Sequence, residues 1–352
     1  MTLKECYLSI LKNSNSWNPT KSHTVEFDWG KMKLKDNHAL KNFFVQIMLF
    51  NLDLKDHMIN RRNKFEEVGT ERLLHTVSLY LLGIYFAEKI GYDKLIKSGG
   101  VWEDDRKDFL QLWAGICLCH DMGYFLEKEK LKEDKEQINT LDRFMEKNNI
   151  SYDCRECMDS DLIDRYYRYR LEENNIIDHG IAGACFMYDM LMKSSNEKER
   201  LEKQVTYNCI PKRFCAEEIR KRAKKYAVII AKHNMWFANG KNKKIYEKYG
   251  LNELLQDKAE DKRYSLQNNP FLFFLGLTDT LEPLKALEYN AEVLESVDLK
   301  VRQVDEKVHI TFKKIDDGTY IEELQRRAEG LVDWLSVQIN NIENGFEIIL
   351  LC

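Results

Sequence analysis

Proline and glycine are both scarce in this chain, with 4 prolines and 16 glycines among 352 residues. Because these residues dominate tight turns, their scarcity argues against a turn-rich β architecture and favours long helices. Long hydrophobic runs are also missing. The most apolar segments, Leu79–Ala87 and Phe271–Leu277, fall well short of the roughly 20 residues that span a bilayer. The sequence therefore predicts a mainly helical protein without a membrane-spanning segment.

The chain also lacks an excess of charge of either sign. Lys and Arg together number 54, Asp and Glu number 58, and the formal net charge is -4. This balance argues against a dedicated nucleic-acid binder, which would carry a strongly basic face, although a local basic patch around a phosphate remains compatible with it. The opening residues have no apolar stretch of the kind that forms a signal peptide. The nine cysteines, several of them in apolar helix-like runs, are typical of reduced thiols in the cytoplasm.

Helical periodicity is strongest in the middle of the chain. Apolar residues recur at helical spacing from Thr70 to Lys89. The next predicted helix, Asp108–Cys119, is apolar on nearly every side, which indicates burial. The charge-dense stretch Leu126–Gln137 is predicted to be a solvated helix face. The other predicted elements before residue 290 are a strand at Thr24–Phe27 and helices at Ala39–Leu52, Ile176–Lys193, Ala216–Lys232 and Asn269–Tyr289.

The pattern changes after about Val293. Two runs of alternating polar and apolar residues, Val297–Val304 and Lys307–Lys314, flank Asp305-Glu306 and predict a β-hairpin. An amphipathic helix at Tyr320–Asn340 and a closing strand at Phe346–Leu351 are predicted to follow. We therefore predict three regions: an N-terminal extension (1–66), a helical domain (67–292) and a small α+β appendage (293–352).

Four histidines lie in the predicted helical body, at positions 75, 120, 179 and 233, and Asp279 has equally apolar neighbours. Each histidine alone is most simply a hydrogen-bonded core residue. Together they are harder to explain, because four buried imidazoles and the carboxylates of Asp121 and Asp279 need many compensating partners. A divalent metal centre would supply those partners, since imidazole and carboxylate are common metal ligands.

His120 and Asp121 are adjacent in sequence, and adjacent side chains on a helix do not share a face. Both can reach one ion only if the helix ends at that point. Gly123 provides a natural stop two residues later. We therefore expect a helix terminus at the His120-Asp121 pair.

The order His75, His120-Asp121, Asp279 resembles the H…HD…D signature of the HD superfamily of metal-dependent phosphohydrolases. The segment His120-Asp121-Met122-Gly123 is similar to the family's turn, in which a hydrophobic residue and a glycine follow the HD pair. Two further segments resemble the additional histidine motifs of multi-metal members. They are His179 with the following Gly180-Ile181-Ala182-Gly183-Ala184, and Lys232-His233-Asn234. The resemblance covers roughly residues 70–290.

The resemblance implies a mainly α fold with an HD-type helical bundle and one or two divalent ions (Mn, Fe, Zn, Ni or Mg). One ion would be held by His75, His120, Asp121 and Asp279, and a second by His179 and His233, with Asp121 bridging. Such a centre would hydrolyse a phosphate ester or anhydride of a nucleotide or small phosphorylated metabolite by activating water. Asp121 would then be catalytic as well as a ligand.

Several positions depart from the family's patterns or lie beside the motif. Tyr124 stands where many relatives have a lysine, and the Gly-Tyr-Pro motif of the branch that degrades cyclic di-GMP is missing after His233.

Arg72 and Lys232 are the preferred phosphate-binding residues, ahead of Lys285. A solvated or salt-bridged role remains open for each of these cations. The long segment 126–175 could cap the pocket or form a partner surface.

Cys154-Arg155-Glu156-Cys157 has the spacing of half a zinc site. No second Cys-x-x-Cys follows, although Cys209 and Cys215 could complete a set of four ligands. A structural zinc is therefore the less favoured interpretation of this pair. For the whole chain, two other functions remain open beside hydrolysis. One is an HD-fold regulatory protein that keeps metal without catalysis, and the other is an HD-type di-iron oxygenase.

Overall fold

The computed structural model describes residues 1–12, 70–96, 105–124, 126, 135–202, 215–238, 240, 242–255, 262–286, 293–315 and 320–351. Most of these residues are helical. The α-helices are α1 (Leu3–Lys12), α2 (Thr70–Ile90), α3 (Tyr92–Leu95), α4 (Asp105–Cys119), α5 (Leu141–Lys147), α6 (Ser160–Glu173), α7 (His179–Glu202), α8 (Ala216–Lys232), α9 (Lys243–Lys248), α10 (Pro270–Leu281), α11 (Pro283–Ala286), α12 (Val293–Ser296) and α13 (Tyr320–Glu329). Short 3-10 helices lie at Lys135–Ile138, Cys154–Cys157, Asn252–Leu254 and Gly330–Asp333.

Four strands form one antiparallel sheet near the C-terminal end, in the order β1-β2-β4-β3. They are β1 (Val297–Val304), β2 (Lys307–Lys314), β3 (Val337–Ile342) and β4 (Gly345–Leu350). The predicted hairpin is confirmed with its bounds. Asp305 and Glu306 form its two-residue turn with φ values of 46° and 66°, the left-handed backbone that such turns require. The mainly α fold with a small α+β appendage is therefore confirmed.

The predicted helix Tyr320–Asn340 is wrong beyond Glu329. α13 ends there, a 3-10 turn follows at Gly330–Asp333, and the chain then enters β3. The missed signal is a second hairpin whose turn contains Asn344 in a left-handed conformation, with φ of 59°, followed by Gly345. A side chain at position 345 would collide with the carbonyl oxygen of Phe312 on β2. Local turn chemistry therefore overrides the helical periodicity of this segment.

The helices of the central region agree with prediction to different degrees. α8 has the predicted bounds, while α2 and α4 differ only at their ends. The predicted helix Asn269–Tyr289 is interrupted after Leu281, since Pro283 cannot continue the hydrogen-bond ladder. Pro270 occupies the first turn of α10, where its missing N–H leaves no hydrogen bond of the helix unmade.

The predicted helix Ile176–Lys193 is displaced. α7 starts three residues later, at His179, and runs on to Glu202. Asp178 explains the later start, since its side chain accepts a hydrogen bond from the backbone N–H of Ile181 and so caps the helix. The predicted elements Thr24–Phe27 and Ala39–Leu52, and most of Leu126–Gln137, lie outside the described residues.

The described residues divide into two compact units. Among the described residues, the first unit draws on the ranges 1–12, 70–117 and 263–351, and the second draws on those between 118 and 262. The first unit thus joins α1, α2 and α10 with the C-terminal sheet. The predicted regions 1–66, 67–292 and 293–352 stay a prediction about functional domains.

An aromatic cluster holds α2, α4 and α10 together in the first unit. Phe109 and Trp113 of α4 stack with ring centroids 6.0 Å apart, and Phe274 of α10 meets them edge-on at 5.6 and 5.0 Å. The indole N–H of Trp113 donates to the carbonyl oxygen of Tyr80 on α2 at 3.1 Å. This packing fixes the two helices that carry His75 and Asp279.

The second unit is built around α7 and α8, which pack along each other. The absence of a side chain at Gly180 permits this close contact, since a Cβ atom there would lie 2.8 Å from the carbonyl oxygen of Ile230. The small residues at the start of α7 therefore allow close helix packing. Within the described ranges, every helix is too short or too polar to span a lipid bilayer.

Trp334 ties the appendage to α10, and Gly276→Ala tests this contact. A methyl group at position 276 would lie 2.5 Å from two ring carbons of the fully buried Trp334. Alanine improves helix propensity by about 1 kcal/mol, but overpacking a core costs about 1–3 kcal/mol. We expect the free energy of unfolding, measured in urea, to fall.

Gly240→Ala is the control, because a methyl group there would have no heavy atom within 4 Å. Its free energy of unfolding should stay close to that of the unsubstituted protein. A Gly276→Ala protein as stable as the control would contradict the close packing of Trp334 on α10.

Candidate metal centre

Three side chains of the second unit converge on one point. Asp121, His179 and His233 each offer a ligand atom, and these atoms all lie within 4.8 Å of one another. The Nε2 atom of His179 is 3.2 Å from the Nε2 atom of His233 and 3.6 Å from Oδ1 of Asp121. One carboxylate and two imidazoles in this geometry could hold a divalent metal ion.

His120 joins this group through the turn that follows α4. The helix ends at Cys119, and the backbone N–H of Met122 and of Tyr124 donate to the carbonyl oxygens of Cys119 and Asp121 at 3.1 and 2.9 Å. The Nε2 atom of His120 lies 3.6 Å from Oδ2 of Asp121. The predicted helix end at the His120-Asp121 pair is confirmed, and it lets both side chains face the same region.

Gly123 brings this turn against the start of α7. A side chain at position 123 would overlap the carbonyl oxygen of His179, and it would lie 2.8 Å from the Cβ atom of Ala182. Only glycine therefore allows the turn and the helix to approach this closely. The glycine contributes to the site by permitting contact, in addition to ending the helix.

Hydrogen bonds set the orientation of His233. Its Nδ1 atom lies 2.6 Å from the carbonyl oxygen of Ile230. A carbonyl can only accept, so Nδ1 carries the proton and the lone pair of the neutral ring lies on Nε2, which points to His179. Metal-binding histidines commonly have their second nitrogen fixed in this way. The ring of His179 is about one-eighth exposed and is packed edge-on against Tyr124 at 5.5 Å.

His75 and Asp279 meet in the first unit. His75 of α2 is fully buried, and its Nε2 atom is 3.0 Å from Oδ1 of Asp279 on α10. Its Nδ1 atom is 2.9 Å from Oε2 of Glu282. Burial lowers the pKa of His75, but the hydrogen bonds to Asp279 and Glu282 outweigh this effect and raise the pKa above its ordinary value.

Glu282 is a buried residue that the sequence analysis missed. Its carboxylate is fully buried, and it accepts hydrogen bonds from Ser78 and from the backbone N–H of Leu284 and Lys285 as well as contacting His75. Ser78 in turn lies 2.7 Å from the hydroxyl of Tyr7 on α1. The signal of Glu282 in the sequence is an acidic residue three positions after Asp279 and next to Pro283. The predicted helix Asn269–Tyr289 runs through this position and so hides it.

The predicted phosphate-binding cations lie in different surroundings. The ammonium of Lys285 donates to both carboxylate oxygens of Asp279, at 2.8 and 2.9 Å, so the salt-bridged interpretation is the one that the structure supports. Arg72 is buried on α2, three residues before His75. Lys232 is the last residue of α8 and precedes His233. Phosphate binding by Arg72 and Lys232 stays a prediction.

The two units thus divide the six predicted ligands. His120, Asp121, His179 and His233 belong to the second unit, and His75 and Asp279 belong to the first. Among the described residues, the groups with metal-ligand geometry do not include Cys154 or Cys157. Cys154 is buried instead beside Cys185, with sulfur atoms 3.3 Å apart.

Comparisons with protein-family models, with curated proteins and with solved structures give no match.

Glu282→Ala tests the buried network of the first unit. The substitution leaves donors on His75, Ser78 and two backbone N–H groups without their acceptor, so we expect it to lower the free energy of unfolding by about 3 kcal/mol. Glu282→Gln should lower the free energy of unfolding by less, because the carbonyl oxygen of glutamine can still accept some of these hydrogen bonds. Urea unfolding monitored by circular dichroism measures both.

Glu295→Ala serves as the control. Glu295 pairs with Lys4, but its side chain is 63% exposed, and exposed ion pairs contribute less than about 1 kcal/mol. If Glu282→Ala is no less stable than Glu295→Ala, the hydrogen bonds assigned to Glu282 do not form.

Proposed function

We propose that this protein is a metal-dependent phosphohydrolase of the HD type, which hydrolyses a phosphate ester or anhydride of a nucleotide or small phosphorylated metabolite. The observation that carries the proposal is the convergence of Asp121, His179 and His233 within one unit. These residues lie on three separate segments of the chain. They are also the residues that the HD-like order of motifs assigns to a metal.

The donor set favours a transition metal. His120, His179 and His233 supply imidazole nitrogens, and such ligands suit Mn, Fe, Zn or Ni better than Mg, which prefers oxygen. An ion bound here would supply Lewis acidity toward a phosphate oxygen and would lower the pKa of a water molecule.

Asp121 has the geometry of a shared ligand. One of its carboxylate oxygens faces His179 and the other faces His120, each at 3.6 Å. A carboxylate whose two oxygens point toward different imidazoles can hold two ions at once. The assignment of His75 and Asp279 to the first of these ions rests on the sequence motif, as does their grouping with His120.

The sequence positions of two cations also suggest how the substrate would be held. In the proposal, Lys232 and Arg72 neutralise the phosphate, since both are cations next to or one helical turn from a proposed ligand in the sequence. Tyr124, packed on His179, stands where a lysine would otherwise contribute charge. A cytoplasmic location belongs to the same proposal and rests on the reduced cysteines.

Metal content tests the number of ions. We expect the protein, saturated with Mn²⁺ and freed of excess metal, to hold about two ions, as a two-metal hydrolase requires. The double variant His179→Ala/His233→Ala should hold about one and lose activity by several orders of magnitude, because the second ion is needed to activate water. Asp121→Ala should lose both ions. Elemental analysis and a phosphatase and phosphodiesterase screen provide the measurements.

His309→Ala is the matched control. His309 lies on β2 and pairs with Glu347 at 3.1 Å, so its loss should leave the metal content unchanged. Equal metal content in all the variants would refute the metal centre. Bound metal without turnover in the screen would favour the regulatory alternative. Bound iron with consumption of dioxygen would favour the di-iron oxygenase.

A further inference from the structure

The two histidines that face each other are flanked by residues that are hydrogen-bonded to each other. Asp178 directly precedes His179, and Asn234 directly follows His233. The side-chain N–H of Asn234 donates to Oδ2 of Asp178 at 2.8 Å. This bond links the first turn of α7 to the residues after α8, immediately beside the two imidazoles.

Asp178 is a fully buried carboxylate, and each of its oxygens has a defined partner. Oδ1 accepts from the backbone N–H of Ile181 at 3.0 Å and so caps α7. Oδ2 accepts from Asn234 and lies 3.3 Å from Nε of Arg170. A buried charge is costly unless it is paired and hydrogen-bonded, and these partners meet that condition.

Asn234 is held from a second side. Its backbone carbonyl oxygen accepts a hydrogen bond from the hydroxyl of Tyr166 on α6 at 2.7 Å. The chain that leaves α8 is therefore fixed through both the side chain and the backbone of Asn234. His233, which precedes it, is fixed in turn through its own bond to Ile230.

We propose that Asp178 is a positioning residue for the metal centre, acting through Asn234 to hold His179 and His233 at the separation that one ion requires. The inference rests on the proposed function only in taking these two histidines as ligands. Asp178 does not itself reach the ion. Its bond to Asn234 joins the segments that carry His179 and His233, whose Nε2 atoms lie 3.2 Å apart.

Reversal of the hydrogen bond tests this role. In Asp178→Asn, the new amide cannot both cap α7 and accept from Asn234. In Asn234→Asp, two carboxylates face each other. The double variant Asp178→Asn/Asn234→Asp restores a donor and an acceptor in the opposite direction. Binding of Co²⁺ to the folded full-length protein, followed by its visible absorption, measures the affinity, and a thermal unfolding curve measures the stability.

We expect each single variant to weaken Co²⁺ binding by about 10–100-fold, the usual effect of losing a residue that orients a metal ligand. The double variant should recover most of the affinity. If Asp178→Asn does not fold, Asn234→Ala replaces it, since this variant leaves the cap of α7 in place. Weakened binding by Asn234→Ala supports the proposal, and unchanged binding overturns it.

Asp189→Asn is the matched control. Asp189 lies on the same helix, is fully buried, and accepts from the backbone N–H of Ser151 and Tyr152 and from Lys193. Its substitution should lower the unfolding temperature without changing the affinity for Co²⁺. A purely structural role for Asp178 would give the same result as this control.

His179→Ala separates the two proposals. If it lowers the bound Co²⁺ from about two ions to about one while Asp178→Asn and Asn234→Asp bind Co²⁺ normally, the metal centre stands and the positioning role is overturned. If His179→Ala binds Co²⁺ as well as the unsubstituted protein, the metal centre fails and the positioning role fails with it. A double variant no better than either single variant also overturns the positioning role.

Discussion

Adjacent side chains on an α-helix point about 100° apart, so a helix that continued through His120 and Asp121 could not direct both toward one ion. The end of α4 at Cys119 removes this constraint. The turn that replaces the helix is then pressed against the start of α7, where Gly123 leaves room for the backbone of His179. The candidate site of the second unit depends on this one contact, because it brings the segment of His120 and Asp121 to the helix that begins with His179.

Buried carboxylates appear next to proposed ligands in both units. Glu282 contacts His75 in the first unit, and Asp178 precedes His179 in the second. Each carboxylate is fully buried and also caps a helix, accepting backbone N–H groups at the start of α11 or of α7. Capping compensates part of the cost of burying the charge. The remaining oxygen lone pairs are then available to orient side chains around the histidines.

The periodic spacing of apolar residues correctly predicted the elements that such spacing specifies. The mainly helical fold, the bounds of α8 and the hairpin of β1 and β2 follow from apolar spacing and from a two-residue turn. The predicted helix Tyr320–Asn340 failed where Asn344 and Gly345 permit a turn that periodicity does not show. The convergence of Asp121, His179 and His233 agrees with the motif order. Glu282 and Asn234 could not be identified in this way, because their partners are distant in the sequence and no repeat marks them.

The geometry of the converging atoms is the main support for the proposed metal ion. The Nδ1 proton of His233 is committed to the carbonyl oxygen of Ile230, so its Nε2 atom is an acceptor when the ring is neutral. That acceptor lies 3.2 Å from Nε2 of His179, which is also 3.6 Å from a carboxylate oxygen of Asp121. A proton on His179 could serve one of these neighbours well, since a single N–H points in one direction. A metal ion would accept the lone pairs of all three groups at once. No buried ligand atom would then lack a partner, and burying the three side chains would cost less free energy.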